Sequence, residues 1–140
     1  MKIGMGSSEG GAYLAGKVKE YLQKSGYDIS DYTDENNDIF NISCDISNAV
    51  INGEIDKGIV IDDYGTVPFM VCSKHKGIVC AEVFDEHSAK MTRDHNNTTI
   101  ITLGYEITGE ELAKSICSVF AKSDYSGGRH QVRVDMLNKM

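Results

Sequence analysis

The chain has 140 residues, 41% of them hydrophobic and 25% charged, which is the make-up of one soluble globular domain and excludes a disordered or collagen-like chain. The formal charge of -7 with no basic stripe argues against nucleic acid as a partner. The N-terminus MKIGMGSSEGG lacks the apolar core of a signal peptide and no 18-residue apolar run occurs, so the expected location is the cytoplasm, with no membrane span.

In chain order, a short strand at Lys2–Gly6 passes through Ser7-Ser8-Glu9-Gly10-Gly11 into a helix carrying Leu14, Val18, Tyr21 and Leu22 at helical spacing, stopped by Gly26. Tyr27–Tyr32 reads as a second strand and Thr33–Asp38 as a polar loop. A second helix follows on Ile42, Ile46, Ala49 and Val50 and ends near Asn52-Gly53. The run Gly58-Ile59-Val60-Ile61 has the unbroken apolar character of a central parallel strand, and Ile78–Val83 and Thr98–Leu103 repeat it. Helices are predicted after Pro68 and from about Glu86 to Asp94. Another is predicted over Gly109–Lys122, where Thr108 and Glu111 make a T-x-x-E capping box.

From Asp124 onwards the chain carries Gly127-Gly128 and a short amphipathic segment ending at Leu137, expected to pack on a partner subunit. The alternation predicts an α/β fold, a Rossmann-like three-layer sandwich with a central parallel sheet of about five strands. No repeat or linker divides the chain, so residues 1–140 are expected to form a single domain. Cys44, Cys72, Cys80 and Cys117 match no metal-pair spacing and are expected to be reduced, buried thiols. No metal or cofactor is expected.

Ligands of open parallel sheets sit at the carboxyl ends of strands, so the loops there carry the candidate chemistry. The loop Gly6–Gly11 is Gly-rich and opens a helix, but it is not GxGxxG; a phosphate cradle and a plain strand–helix turn both fit. The loop Asp62-Asp63-Tyr64-Gly65-Thr66-Val67 offers amides of Gly65 and Thr66 to an oxyanion, while its aspartates read as a base, a magnesium ligand or solvated loop carboxylates. Thr92-Arg93-Asp94-His95-Asn96-Asn97 reads as a polar loop before a strand, its His95 either a proton-transfer group or a surface residue. Arg129 and Arg133, four apart, put two guanidinium forks on one helix face, as a phosphate dianion requires and as a solvated basic face also would.

Three stretches together resemble the family of ribose-5-phosphate isomerase B and galactose-6-phosphate isomerase: Met91–Asn97, Gly104 with the helix start Gly109–Lys114, and above all Gly127-Gly128-Arg129-His130-Gln131-Val132-Arg133-Val134. The tail Asp135–Lys139 and Ile59-Val60-Ile61-Asp62 are similar to the A-type branch of the galactose-phosphate enzymes. The resemblance implies a Rossmann-like domain that shares its sites across a dimer and interconverts aldose and ketose phosphates through a cis-enediolate without metal. By position, His95 would open the sugar ring, Asn96 would bind substrate oxygens, Arg129 and Arg133 would hold the phosphate, and the loop from Gly65 through Thr66 to Val67 would be the anion hole. Two departures stand out. Asp62 and Tyr64 replace a Cys and a Thr of the isomerase active in isolation, and Ser8-Glu9 replaces an Asp-His pair, which weakens those substrate contacts.

The implied protein is therefore a subunit acting on a phosphorylated hexose, with a B-type subunit supplying the Cys base to a shared site and a homodimer possible in isolation. Asp62 as a substitute base is an alternative, handicapped by the low pKa of a free aspartate, about 3.9, unless burial raises it. A homomeric isomerase of another sugar phosphate and a non-catalytic sugar-phosphate binding or regulatory protein are the other readings.

Overall fold

Strands and helices alternate as the apolar pattern predicts. In the computed structural model, which describes residues 1–140, β1 (Lys2–Ser7) leads to α1 (Ala12–Lys24), β2 (Asp28–Asp31) to α2 (Ile39–Ile51) and β3 (Lys57–Asp62) to α3 (Thr66–Ser73). Then β4 (Cys80–Glu82) leads to α4 (Glu86–Asn96) and β5 (Ile100–Gly104) to α5 (Glu110–Lys122), before a 3-10 turn (Gly128–His130) opens α6 (Gln131–Asn138). All five strands pair in parallel in the order β2-β1-β3-β5-β4. Every carboxyl end therefore lies at one end of the sheet and every amino end at the other.

The period of two along each strand sorts side chains between the layers. Ile59, Ile61, Ile101 and Leu103 join Leu14, Val18, Ile116 and Phe120 in the larger cluster under α1, α4 and α5. Val60 and Ile100 point the other way, against Ile42, Ile46 and Cys72 of α2 and α3. Each fully buried side chain of this size is worth roughly 1.5–3 kcal/mol, so a one-residue slip of β3, which would exchange the two sets, is strongly disfavoured. On the α2 face Gly6 and Gly58 have no substitute: a Cβ would lie 2.5 Å from Ile42 Cγ2 and 2.7 Å from Ile46 Cγ2, respectively. Their smallness lets α2 rest on the sheet.

The amino end of the sheet is held by Lys57, buried at the start of β3. Its Nζ donates to the carbonyls of Phe120, Ala121 and Ser123 at 3.0, 2.8 and 2.9 Å, satisfying carbonyls that the end of α5 leaves without intrahelical partners. Burial, with Arg93 nearby, pulls the Lys57 ammonium down to about 8.

Several boundaries differ from expectation for local reasons. The capping box of α5 does not form: the N-cap is Gly109, without a side-chain cap, and Glu111 is drawn to Lys114 Nζ at 2.9 Å instead of reaching back. Helix α3 begins at Thr66 rather than after Pro68, which occupies its first turn, where a missing N–H costs nothing. Strand β4 is only three residues long. The four cysteines are free; Cys72 and Cys117 are buried, Cys44 and Cys80 half-buried. No helix is long and apolar enough to cross a membrane.

Candidate functional site

The candidate residues fall into two groups at opposite ends of the sheet. Ser8, Glu9, Gly65 and Thr66 lie past the carboxyl ends of β1 and β3, with Asp62 the last residue of β3, at the β1/β3 crossover where the winding reverses. His95 and Asn96 precede the amino end of β5, and Arg129 and Arg133 lie beside them. Five residues of β5, at about 3.3 Å each, set the two ends roughly 16 Å apart.

At the carboxyl end, Ser8 is spent on its own turn: its N–H donates to Ile61 O at 3.0 Å and its Oγ accepts from Gly11 N at 3.3 Å. Glu9 is exposed and lines a recess of about 540 Å³ with Asp34, Glu35 and Asp38. No Lys or Arg lines it, so the recess repels a phosphate. Asp62 is only 7% exposed, and its Oδ1 accepts from the Gly65 amide. Gly65 adopts φ +86°, and a Cβ there would lie 3.0 Å from the Leu103 carbonyl carbon, so the turn that brings amide to carboxylate suits glycine. Burial raises Asp62 above the usual carboxylate value, partly offset by the Gly65 amide. The Thr66 hydroxyl donates to Glu82 Oε1 at 3.3 Å. One of the two amides expected to face an oxyanion is thus already occupied by a carboxylate of the same chain.

At the amino end, the stretch Thr92–Asn97 is not the predicted loop. Helix α4 runs through Asn96 and is closed by Asn97 at φ 55°, a conformation Asn tolerates better than most residues. His95 and Asn96 are therefore held by the last turn of a helix. Arg93 is a structural group: its guanidinium donates to Asn97 Oδ1 at 2.6 Å and Thr98 O at 3.1 Å, fastening that turn to the approach to β5. The segment before the 3-10 turn is tied to the same place, with Ser126 N and Oγ donating to Asp94 O at 3.0 and 3.1 Å.

This tie delivers Arg129, His130 and Arg133 to the end of α4, where they line a recess of about 300 Å³. The ion pairs of the chain join Lys19 to Asp31, Lys24 to Glu20, and Lys114 to Glu110 and Glu111, leaving both arginines free. The His130 ring stacks on His95 with centroids 4.2 Å apart and planes 13° from parallel. Desolvation, then the neighbouring His95 and Arg129, hold the His130 imidazole below its ordinary value. Chemically, this end offers two acid/base rings beside a bidentate anion clamp. Sequence reasoning quoted His130 in its motif but gave it no role; its position between two arginines spaced by four was the available signal.

The whole chain has known relatives. The family model for ribose/galactose isomerase matches residues 3–137. Galactose-6-phosphate isomerase subunit LacA 1 of Streptococcus pyogenes is 51% identical over all 140 residues and 99% of its own length. Subunit LacA of Lactococcus lactis is 49% identical over the same extent. Among solved structures, ribose-5-phosphate isomerase B of Clostridium thermocellum superposes with a TM-score of 0.93 at 34% identity, covering 99% of this chain and 96% of that one.

Proposed function

The chain belongs to the ribose/galactose isomerase family, and on that premise we propose that it is one subunit of an isomerase interconverting D-galactose 6-phosphate and D-tagatose 6-phosphate, paired with a B-type subunit. The observation that carries the proposal is the separation of the candidate residues: the ring-opening and anion-holding groups are assembled at the amino end of the sheet, some 16 Å from the strand-end loop where the base would sit. One copy cannot close a site over a single hexose phosphate. A second subunit, presenting its own β3 loop to this chain's His95, can.

In that shared site Arg129 and Arg133 hold the phosphate and Asn96 binds sugar hydroxyls. His95 transfers the anomeric hydroxyl proton to the ring oxygen as the C1–O5 bond breaks, leaving the open-chain aldehyde. The partner's Cys thiolate takes the C2 proton, the electron pair moves to form the C1–C2 double bond of the cis-enediolate, and the negative charge gathers on O1. Return of the proton to C1, with the O2 proton passing to O1, gives the ketose. The occupied Gly65 amide and the phosphate-repelling recess support assigning the base and anion hole to the partner rather than to this chain. The exposed apolar side chains of α6, Val132, Met136 and Leu137, support packing of residues 124–140 on that partner.

One observation favours a second reading, in which a homomer uses Asp62 as base: burial raises Asp62 toward the range of a useful proton acceptor. Turnover of galactose 6-phosphate by the purified chain, alone and mixed with a B-type subunit, separates the two. The shared-site reading expects activity only in the mixture. Activity of the chain alone that disappears in Asp62→Asn would replace it with the homomeric one, and silence in both would leave a binding or regulatory protein.

A further inference from the structure

We infer that His130 is a third ligand of the dianion held by Arg129 and Arg133, and that His130, stacked on His95, takes up a proton as the dianion binds. The inference rests on the reading of this recess as the phosphate site and adds to it a ligand and a proton.

Three observations carry it. His130 lines the same 300 Å³ recess as the two arginines and sits between them in sequence, on the 3-10 turn that leads into α6. Its ring lies flat against His95, 4.2 Å between centroids, so the two imidazoles are close enough for a charge on one to act on the other. Both arginines are unpaired. The charged groups acting on His130 are Arg129 and Arg133 from its own segment and Asp94 from α4, which itself lies within reach of Lys90. Asp94 is the lone carboxylate among them.

In the empty recess the balance is unfavourable to an imidazolium at His130: desolvation, the stacked ring and two guanidinium groups oppose it, and one carboxylate favours it. A dianion in the recess adds two negative charges and reverses the local field, so proton binding at His130 becomes more favourable than in the empty recess. By linkage, whatever raises proton binding must itself bind more tightly when the proton is present. The functional consequence is that the bound sugar phosphate places a charged His130 against the ring of His95.

Sulfate is the suitable probe, because it stays a dianion where phosphate itself would titrate. Its affinity for the full chain is measured by calorimetry from about pH 5.5 to about pH 8.5, across the histidine range, in buffers of different ionisation enthalpy. The expected result is an affinity that falls up to about tenfold per pH unit through that range, with buffer-dependent heats reporting close to one proton taken up. His130→Gln is expected to weaken binding about tenfold or more near pH 6 and far less near pH 8.5, and the His95→Gln/His130→Gln double variant to abolish the slope, with His130→Asn as the check that the effect belongs to the ring. Arg129→Ala and Arg133→Ala are expected to weaken binding at every pH. A flat wild-type profile, or a His130→Gln profile matching wild type, overturns the inference while leaving the anion site standing. Failure of the wild type to bind sulfate, or indifference to both arginine variants, overturns the phosphate-site reading and this inference with it.

Discussion

The two ends of the sheet have opposite chemistry. The carboxyl end carries Glu9, Asp34, Glu35 and Asp38 around an open recess, and one of its two candidate oxyanion donors, the Gly65 amide, is satisfied by Asp62 of the same chain. The amino end gathers Arg129, His130 and Arg133 against His95, with no internal acceptor for either arginine. A carboxylate on an amide is a finished interaction, and an unpaired pair of guanidinium groups is an unfinished one. Donors left without partners are what single out the amino end as the candidate anion site.

The largest way to break this asymmetry is to remove the acid/base group at the amino end. In a mixture with the B-type subunit, His95→Ala should lower kcat by about 10²–10⁴-fold, read by a coupled assay of tagatose 6-phosphate formation. Next come the clamp residues. Arg129→Ala or Arg133→Ala should each reduce kcat/KM by about 10–100-fold, mainly through KM, and Arg→Lys should rescue only partly because a point charge replaces a bidentate fork.

The support beneath that end can be tested without the partner. Lys57→Met removes the donor shared by three carbonyls at the end of α5 and should cost about 2–3 kcal/mol, lowering Tm by about 5–10 °C in thermal unfolding. The smallest effect is expected at the carboxyl end. Burial raises Asp62 in the folded chain above its unfolded value of 3.8, so between those two values the folded state binds more protons than the unfolded one, and stability falls as pH rises through that window. Asp62→Asn keeps an acceptor for Gly65 and removes the charge. It should be slightly more stable than wild type at neutral pH, by less than about 1 kcal/mol, with the gain vanishing below pH 3.8 in urea unfolding.

How much of this was legible in the sequence depended on range. The strand Gly58–Ile61 and the amphipathic α5 were readable because burial imposes a local period, and Arg129 with Arg133 because i,i+4 spacing places them together. The Asp62–Gly65 contact is also local, an Asp capping an amide three residues on, but the D-x-x-G spacing was not used and the Gly65 amide was read as free for an oxyanion. The end of α4 was misread because an Asn in the left-handed conformation at position 97 closes the helix two residues beyond the predicted stop. The box expected at Thr108 lost to Lys114, which competes for Glu111 one turn further along. The His95–His130 stack joins residues 35 positions apart through the Ser126 tie to Asp94, and no local pattern encodes it.

The central claim is that this chain contributes its amino-end half and not its carboxyl-end half to a shared site. Its most direct measurement compares two mixtures with the same intact B-type subunit, one containing Asp62→Ala and the other His95→Ala. The account predicts that the Asp62→Ala mixture retains kcat/KM within about twofold of wild type while the His95→Ala mixture loses at least about 10²-fold. Loss of activity with Asp62→Ala and its retention with His95→Ala would contradict it and move the chemistry to the other end of the sheet.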